Sequence, residues 1–188
     1  MKTLVVYAHP DHESHARYTL ELVEEKLKAK NSEYEVLDLY KMNFNPVLSY
    51  EQMYESKTKG TPKDVEDMQK KIAESSQLIL IYPIWWNEMP AILKGFMDKI
   101  LTPGFAYKYV NKIPRPLLKG KSAIAFVTTG SPKIASWIFL GNRFKKILAH
   151  DTLGFCGIKT RVYHTDNAFE FNDKQKEKIR KNVNRAMG

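Results

Sequence analysis

Cysteine is almost absent: Cys156 stands alone among 188 residues, which excludes an internal disulfide and any thiolate-clustered metal site. Long apolar runs are missing too. The richest, Leu78 to Ile81 and Ala123 to Val127, fall far short of the roughly 18 residues that span a bilayer. The apolar stretch from Thr3 to Ala8 gives way at once to polar residues. It lacks a small-residue cleavage pattern, so it reads as a first strand and not as a signal peptide. Neither GxGxxG nor GxxxxGK followed by Ser or Thr occurs, which removes the standard dinucleotide fingerprint and the P-loop. Acidic excess is lacking as well: 30 Lys and Arg against 21 Asp and Glu give a net charge of +9, which favours anionic partners. The cations are dispersed, and their densest run, 173–185, alternates with Glu and Asn like the solvated face of a terminal helix. With no recognition motif or aromatic-basic platform, no nucleic-acid partner is expected. A reducing, cytoplasmic setting without membrane insertion is the expectation.

What is present is a globular composition, 43% apolar and 12% aromatic, with no linker or repeat, so one domain is expected over residues 1–188. Strand-like and helix-like periods alternate. Strands are expected over 3–8, 34–39, 77–82, 121–128 and 157–164. Helices are expected over 14–30, over 62–74 with Thr61 as cap, over 90–101, 139–150, and 172–187 capped by Asn172 or Asp173. Residues 40–62 and 102–119 read as long irregular stretches. This order predicts an α/β fold, a five-stranded parallel sheet wound with helices on both faces. The third and fourth strands are apolar throughout, as strands covered on both sides are. Ligands of such sheets bind beyond the carboxyl ends of the strands, where the order reverses. The segments to inspect are therefore 9–16, 83–90 and 129–142.

Each segment has its own chemistry. Ser14 opens the first helix, where free N–H groups and the dipole favour a phosphate, though a Ser there also serves as a plain N-cap. His9, His12 and His15 step by three across a strand-to-helix loop and do not converge, so no metal is expected. Ile84, Trp85, Trp86 and Asn87 offer an apolar wall for a planar ring, with loop N–H groups to meet its polar atoms. Alternatively, Ile84 and Trp86 pack under residues 102–110. Thr128, Thr129, Gly130 and Ser131 supply hydroxyls and a close main-chain approach. Together these features describe a phosphorylated planar cofactor.

The segments Ala8-His9-Pro10 with Ser14, Asn45 to Ser49, Pro83 to Gly95, Asp98 to Tyr107 and Thr128-Thr129-Gly130 resemble the NAD(P)H:quinone reductase family. The resemblance covers almost the whole chain in order, most specifically in the Pro-x-Trp-Trp and Pro-Ala-Ile-Leu-Lys-Gly elements. It implies a flavodoxin-like sheet of order 2-1-3-4-5, a bound flavin (FMN or FAD), NAD(P)H as co-substrate, a quinone acceptor and a homodimer. It also implies two-electron hydride transfer in a ping-pong cycle. Carried over, His9, Ser14, His15 and Ala16 meet the phosphate-bearing tail, Ile84 to Asn87 line the ring, and Thr128 to Ser131 approach its pyrimidine side. The second glycine of the family turn is Ser131, and the Tyr and His of the animal enzymes fall near Ser136 and Asn142. The candidates for stabilising reduced flavin are thus Gly130, Ser131 and Asn142. Loops 41–60 and 103–118 are expected to cover the pocket, the partner subunit's included. The shorter bacterial members also include ancillary subunits of potassium efflux systems. An electron carrier, or a subunit resting on a membrane transporter, is therefore the alternative; azo- or nitro-reduction is a substrate variant.

Overall fold

A strand apolar at every position buries one set of side chains on each face, and β1 (Thr3–Tyr7) does so. Leu4 and Val6 join one core cluster, while Val5 and Tyr7 join the other. In this computed structural model, which describes residues 2–11, 13–50, 61–138 and 141–188, the two clusters lie on opposite sides of one parallel sheet. Its strands are β1, β2 (Tyr34–Asp38), β3 (Gln77–Pro83), β6 (Ser122–Thr128) and β7 (Lys159–Thr165). Their order is β2-β1-β3-β6-β7, all pairs parallel. Because β4 (Tyr107–Val110) and β5 (Ile113–Pro116) form a separate hairpin, this is the expected order 2-1-3-4-5.

One face is covered by α1 (His15–Ala29) and α6 (Asp173–Met187), through Leu20, Val23 and Leu27 and through Ile179 and Val183. The other is covered by α2 (Lys63–Glu74) and α3 (Ala91–Ile100), through Val65, Ile72, Leu93, Phe96 and Ile100. Spacings of three and four put these residues on one side of each helix. Ser14 and Asn172 cap α1 and α6, accepting hydrogen bonds from the N–H groups of Arg17 and Gln175. The chain leaves β1 for β2 on one side and β3 for β6 on the other. The loops after β1 and β3 therefore diverge, and the crevice between them is the switch point of the sheet.

Several expectations are corrected. Residues 102–119 are not irregular: Tyr107–Val110 (β4) and Ile113–Pro116 (β5) pair as an antiparallel hairpin, turned by Asn111 and Lys112, both at positive φ. Two adjacent positive φ values are what a tight hairpin turn demands, and Lys at the second position hides that signal. Thr61 does not cap α2; Pro62 occupies the N-cap position without a side-chain bond. In place of one helix over 139–150 there are α4 (Lys133–Ile138) and, beyond a break at Asn142, α5 (Arg143–Lys146), which continues as a π-helical turn, Ile147–Thr152. His12, Phe139 and residues 51–60, part of the expected covering loop, lie outside the described residues. No described helix is long and apolar enough to cross a membrane.

Candidate active site

Register brings the candidate segments together. Thr128 pairs with Pro83 on one side and Thr165 on the other. The Ile84 N–H donates to the Thr128 carbonyl (2.8 Å) and the Thr129 N–H to the Thr165 carbonyl (3.0 Å). The loops after β3, β6 and β7 thus leave the sheet side by side, with the loop after β1 across the crevice.

The loop after β1 is built around the Asp11 main chain. Its carbonyl accepts from the Tyr7 hydroxyl (3.3 Å) and from Ser14 Oγ (3.2 Å), and its N–H donates to His9 Nδ1 (3.0 Å). His9 Nδ1 lies within 3.2 Å of the Asp11 carbonyl as well, so both main-chain groups of Asp11 hold the ring from its Nδ1 side. Ser14 Oγ also accepts from the Arg17 N–H (3.2 Å). Both expected roles of Ser14 are compatible, because the N–H groups of Ser14, His15 and Ala16 donate to no described acceptor. These donors and the dipole of a 15-residue helix make an anion-ready terminus. His15 Nε2 lies 3.2 Å from the Glu170 carbonyl, and its ring meets Phe171 edge-on at 5.2 Å. Burial holds the His9 and His15 pKa values below the ordinary one, so the main chain and dipole, more than imidazolium charge, suit that terminus to an anion.

The loop after β3 closes in two residues. The Trp85 N–H donates to the Glu88 carbonyl (2.9 Å) and the Glu88 N–H returns to the Trp85 carbonyl (3.0 Å). Trp86 and Asn87 between them have φ of 52° and 63°. Asn accepts that region readily, whereas Trp in it costs about 1–2 kcal/mol. Strain of this kind is retained where the surroundings impose it, as at ligand sites. The turn leaves Trp86 fully exposed, at 101% of its reference area, and Trp85 43% exposed, 6.4 Å from the His9 ring. Packing of Trp86 under residues 102–110 is thereby ruled out, while Ile84 packs on the core. The N–H groups of Trp86 and Asn87 have no described acceptor, and Asn87 Oδ1 is buried without a donor. Such orphans invite an outside partner.

After β6, Gly130 offers an N–H with no described acceptor, and a Cβ there would lie 2.8 Å from the Phe169 ring. Phe169, 80% exposed, comes from the loop after β7, which sequence reasoning missed. That loop has no motif, but the carboxyl-end rule applies to the fifth strand as to the others. It is tied down by the Ala168 N–H donating to the Thr129 carbonyl (2.9 Å) and by the Lys133 N–H donating to Asp166 Oδ2 (3.1 Å). Asn142, at φ 50°, opens α5 without a side-chain cap, and no described contact joins it to Gly130 or Ser131. The Ser136 side chain lies outside the described ones.

A family profile described as a flavodoxin-like fold matches residues 1–187. The human ribosyldihydronicotinamide dehydrogenase [quinone] is 32% identical over 179 residues, 84% of this chain and 78% of that protein. The chain belongs to the flavodoxin-like NAD(P)H oxidoreductase family. Another member, an NAD(P)H oxidoreductase of Haemophilus influenzae, is 37% identical over 132 residues, 70% of this chain and 65% of its own length. The solved NAD(P)H:quinone oxidoreductase of Methanothermobacter marburgensis superposes with a TM-score of 0.86 at 28% identity, covering 100% of this chain and 95% of that one. An FMN-dependent NADH-azoreductase of Bacillus anthracis, solved in complex with FMN, shares the fold at 20% identity, with a TM-score of 0.77 and 99% and 97% of the two chains covered.

Proposed function

We propose that this protein is a flavin-dependent NAD(P)H:quinone oxidoreductase. The observation that carries the reading is the strained turn after β3, which exposes two indoles beside main-chain N–H groups with no described acceptor and the buried Asn87 Oδ1 with no described donor. A planar ring with polar edges fits that chemistry, and a phosphate tail fits the open N-terminus of α1. When bound, a flavin accepts two electrons as hydride from NAD(P)H and passes them to a quinone.

The protein's own residues bind, orient and compensate charge. Ser14, His15 and Ala16 offer main-chain N–H groups to the phosphate, with the His9 ring beside them. Ile84, Trp85, Trp86 and Asn87 line the ring. Thr128 to Ser131 serve its pyrimidine side, where the Gly130 and Ser131 N–H groups oppose the negative charge that two-electron reduction adds. The net charge of +9 favours the phosphates of NAD(P)H, within the limits of salt screening. The relatives named as NAD(P)H and quinone oxidoreductases support the same activity here. The hairpin, with Tyr109, Val110 and Ile113 exposed, supports a homodimer in which it reaches the partner's site. The test is direct: purified protein carries FMN or FAD, identified by chromatography after denaturation, and oxidises NAD(P)H when a benzoquinone is added. Apoprotein that takes up neither flavin overturns the reading.

A further inference from the structure

Behind the Thr128 to Ser131 turn stands an imidazole that the proposed chemistry does not use. His164, near the end of β7, is 4% exposed and packs edge-on against Phe144 (5.3 Å, 77°). Its Nε2 lies 2.7 Å from Thr129 Oγ1, and that hydroxyl donates to the Ser131 carbonyl at 2.9 Å. A hydroxyl has a single proton to give. With it spent on Ser131, the imidazole carries its own proton on Nε2, and Nδ1 is left as a bare acceptor. Nδ1 is indeed buried with no partner. The opposite tautomer strands a buried N–H and takes the Thr129 bond from Ser131, two penalties in place of one. Burial first, then the charges of Lys145 and Lys133, lower the His164 pKa to about 4, so the ring is neutral near pH 7. An imidazole buried with one nitrogen unpaired costs stability that an apolar side chain would not. Its contact with the turn is what distinguishes it from such a side chain.

We propose that His164 is a positioning residue for the reduction site: its Nε2–H fixes the Thr129 hydroxyl and, through it, the Ser131 carbonyl, so that the Gly130 and Ser131 N–H groups are held in one orientation. This inference rests on the flavin reading above. Main-chain bonds already secure the flanks, through Thr129 N–H to Thr165 and Ala168 N–H to Thr129. The Ser131 carbonyl also accepts a long bond from the Asn167 N–H (3.5 Å), beside which the Thr129 hydroxyl at 2.9 Å is the shorter hold. Gly130 lies between the two ends of the Thr129 to Ser131 bond, so the relay stiffens the residue with the widest backbone freedom.

The test uses His164→Leu, His164→Gln, Thr129→Val and the double variant His164→Leu/Thr129→Val, each checked by thermal melting. Apoproteins are titrated with FMN and FAD, and the Gly130 and Ser131 amide resonances are followed by NMR. Losing one buried hydrogen bond corresponds to roughly tenfold weaker flavin binding in His164→Leu and in Thr129→Val. Both amides shift in each, and the double variant is no worse than either single one. The midpoint potential of the bound flavin falls in both. In His164→Gln an amide N–H reaches the same point, and binding returns to within about twofold. Unmoved amides, multiplicative losses in the double variant, or no rescue by Gln overturn the proposal. Should His164→Leu not fold, Thr129→Val and His164→Gln decide it. If the parent binds no flavin while the variant amides still move, the flavin reading fails and the relay stands.

Discussion

Replacing Gly95 by Ala should destabilise this protein, against the sign that helix propensity assigns. Gly95 lies inside α3, where Ala ordinarily gains about 1 kcal/mol over Gly. Here a Cβ would stand 2.2 Å from the Pro46 carbonyl oxygen, 2.4 Å from Pro46 Cβ and 2.6 Å from its Cα. Reaching ordinary contact at 3.4 Å requires a displacement of about 1.2 Å, and neither side has a flexible group to give way. One turn further on, the buried Lys99 donates to the Asn45 carbonyl (3.0 Å) and sits 5.3 Å above the Phe44 ring. Pushing α3 off Pro46 stretches that bond as well. Overpacking costs about 1–3 kcal/mol, and a hydrogen bond from a charged donor is worth about 1.5–3 kcal/mol. After the propensity gain, the net loss is about 1.5–5 kcal/mol. For a chain of this size that lowers Tm by about 3–20 °C. Far-UV circular dichroism melts and urea titrations of Gly95→Ala and parent measure both quantities. A variant as stable as the parent refutes the packing argument.

Ser14→Ala should lose about 1 kcal/mol of stability with the N-cap bond to Arg17 and bind flavin more weakly; unchanged melting and flavin affinity would contradict the two roles assigned to that hydroxyl. His164 also predicts a pH dependence. Its folded pKa of about 4 lies below the unfolded value of about 6.5, so between them the unfolded chain binds the extra proton. Stability is complete above about pH 6.5 and is lost as pH falls toward 4, by about 3 kcal/mol. Lys133, Lys145 and Lys178 reinforce the shift and Asp166 opposes it. Urea unfolding of parent and His164→Gln across this range should give a shallower acid slope in the variant; parallel curves would show that His164 is not the linked group.

The sheet was readable because β3 and β6 are apolar at consecutive positions, which only cover on both faces accommodates, and because helical spacing is regular in α1, α3 and α6. The hairpin β4–β5 was not, since Asn111-Lys112 lacks the glycine that usually marks such a turn. The break before α5 did leave a signal that was passed over: Gly141 and Asn142, both at positive φ, are helix-ending residue types inside the helix expected over 139–150. Ser14, Trp85, Trp86 and Gly130 stood out by type and by position after a strand. Phe169 and His164 did not, because an exposed Phe in a loop and a His in a strand have no pattern of their own.

Local order thus came from the chain's own periodicities: which segments are strands, which faces of the helices are apolar, and at which sheet edge a ligand belongs. Tertiary structure alone decided which distant groups share a hydrogen bond or a contact surface. Pro46 against Gly95, Glu170 against His15, and His164 behind Thr129 join residues far apart in the chain, and their partnership depends on register and loop path. Periodicity acts between neighbours through the geometry of one element, whereas a proton shared between β7 and the turn after β6 exists only once both strands are in place.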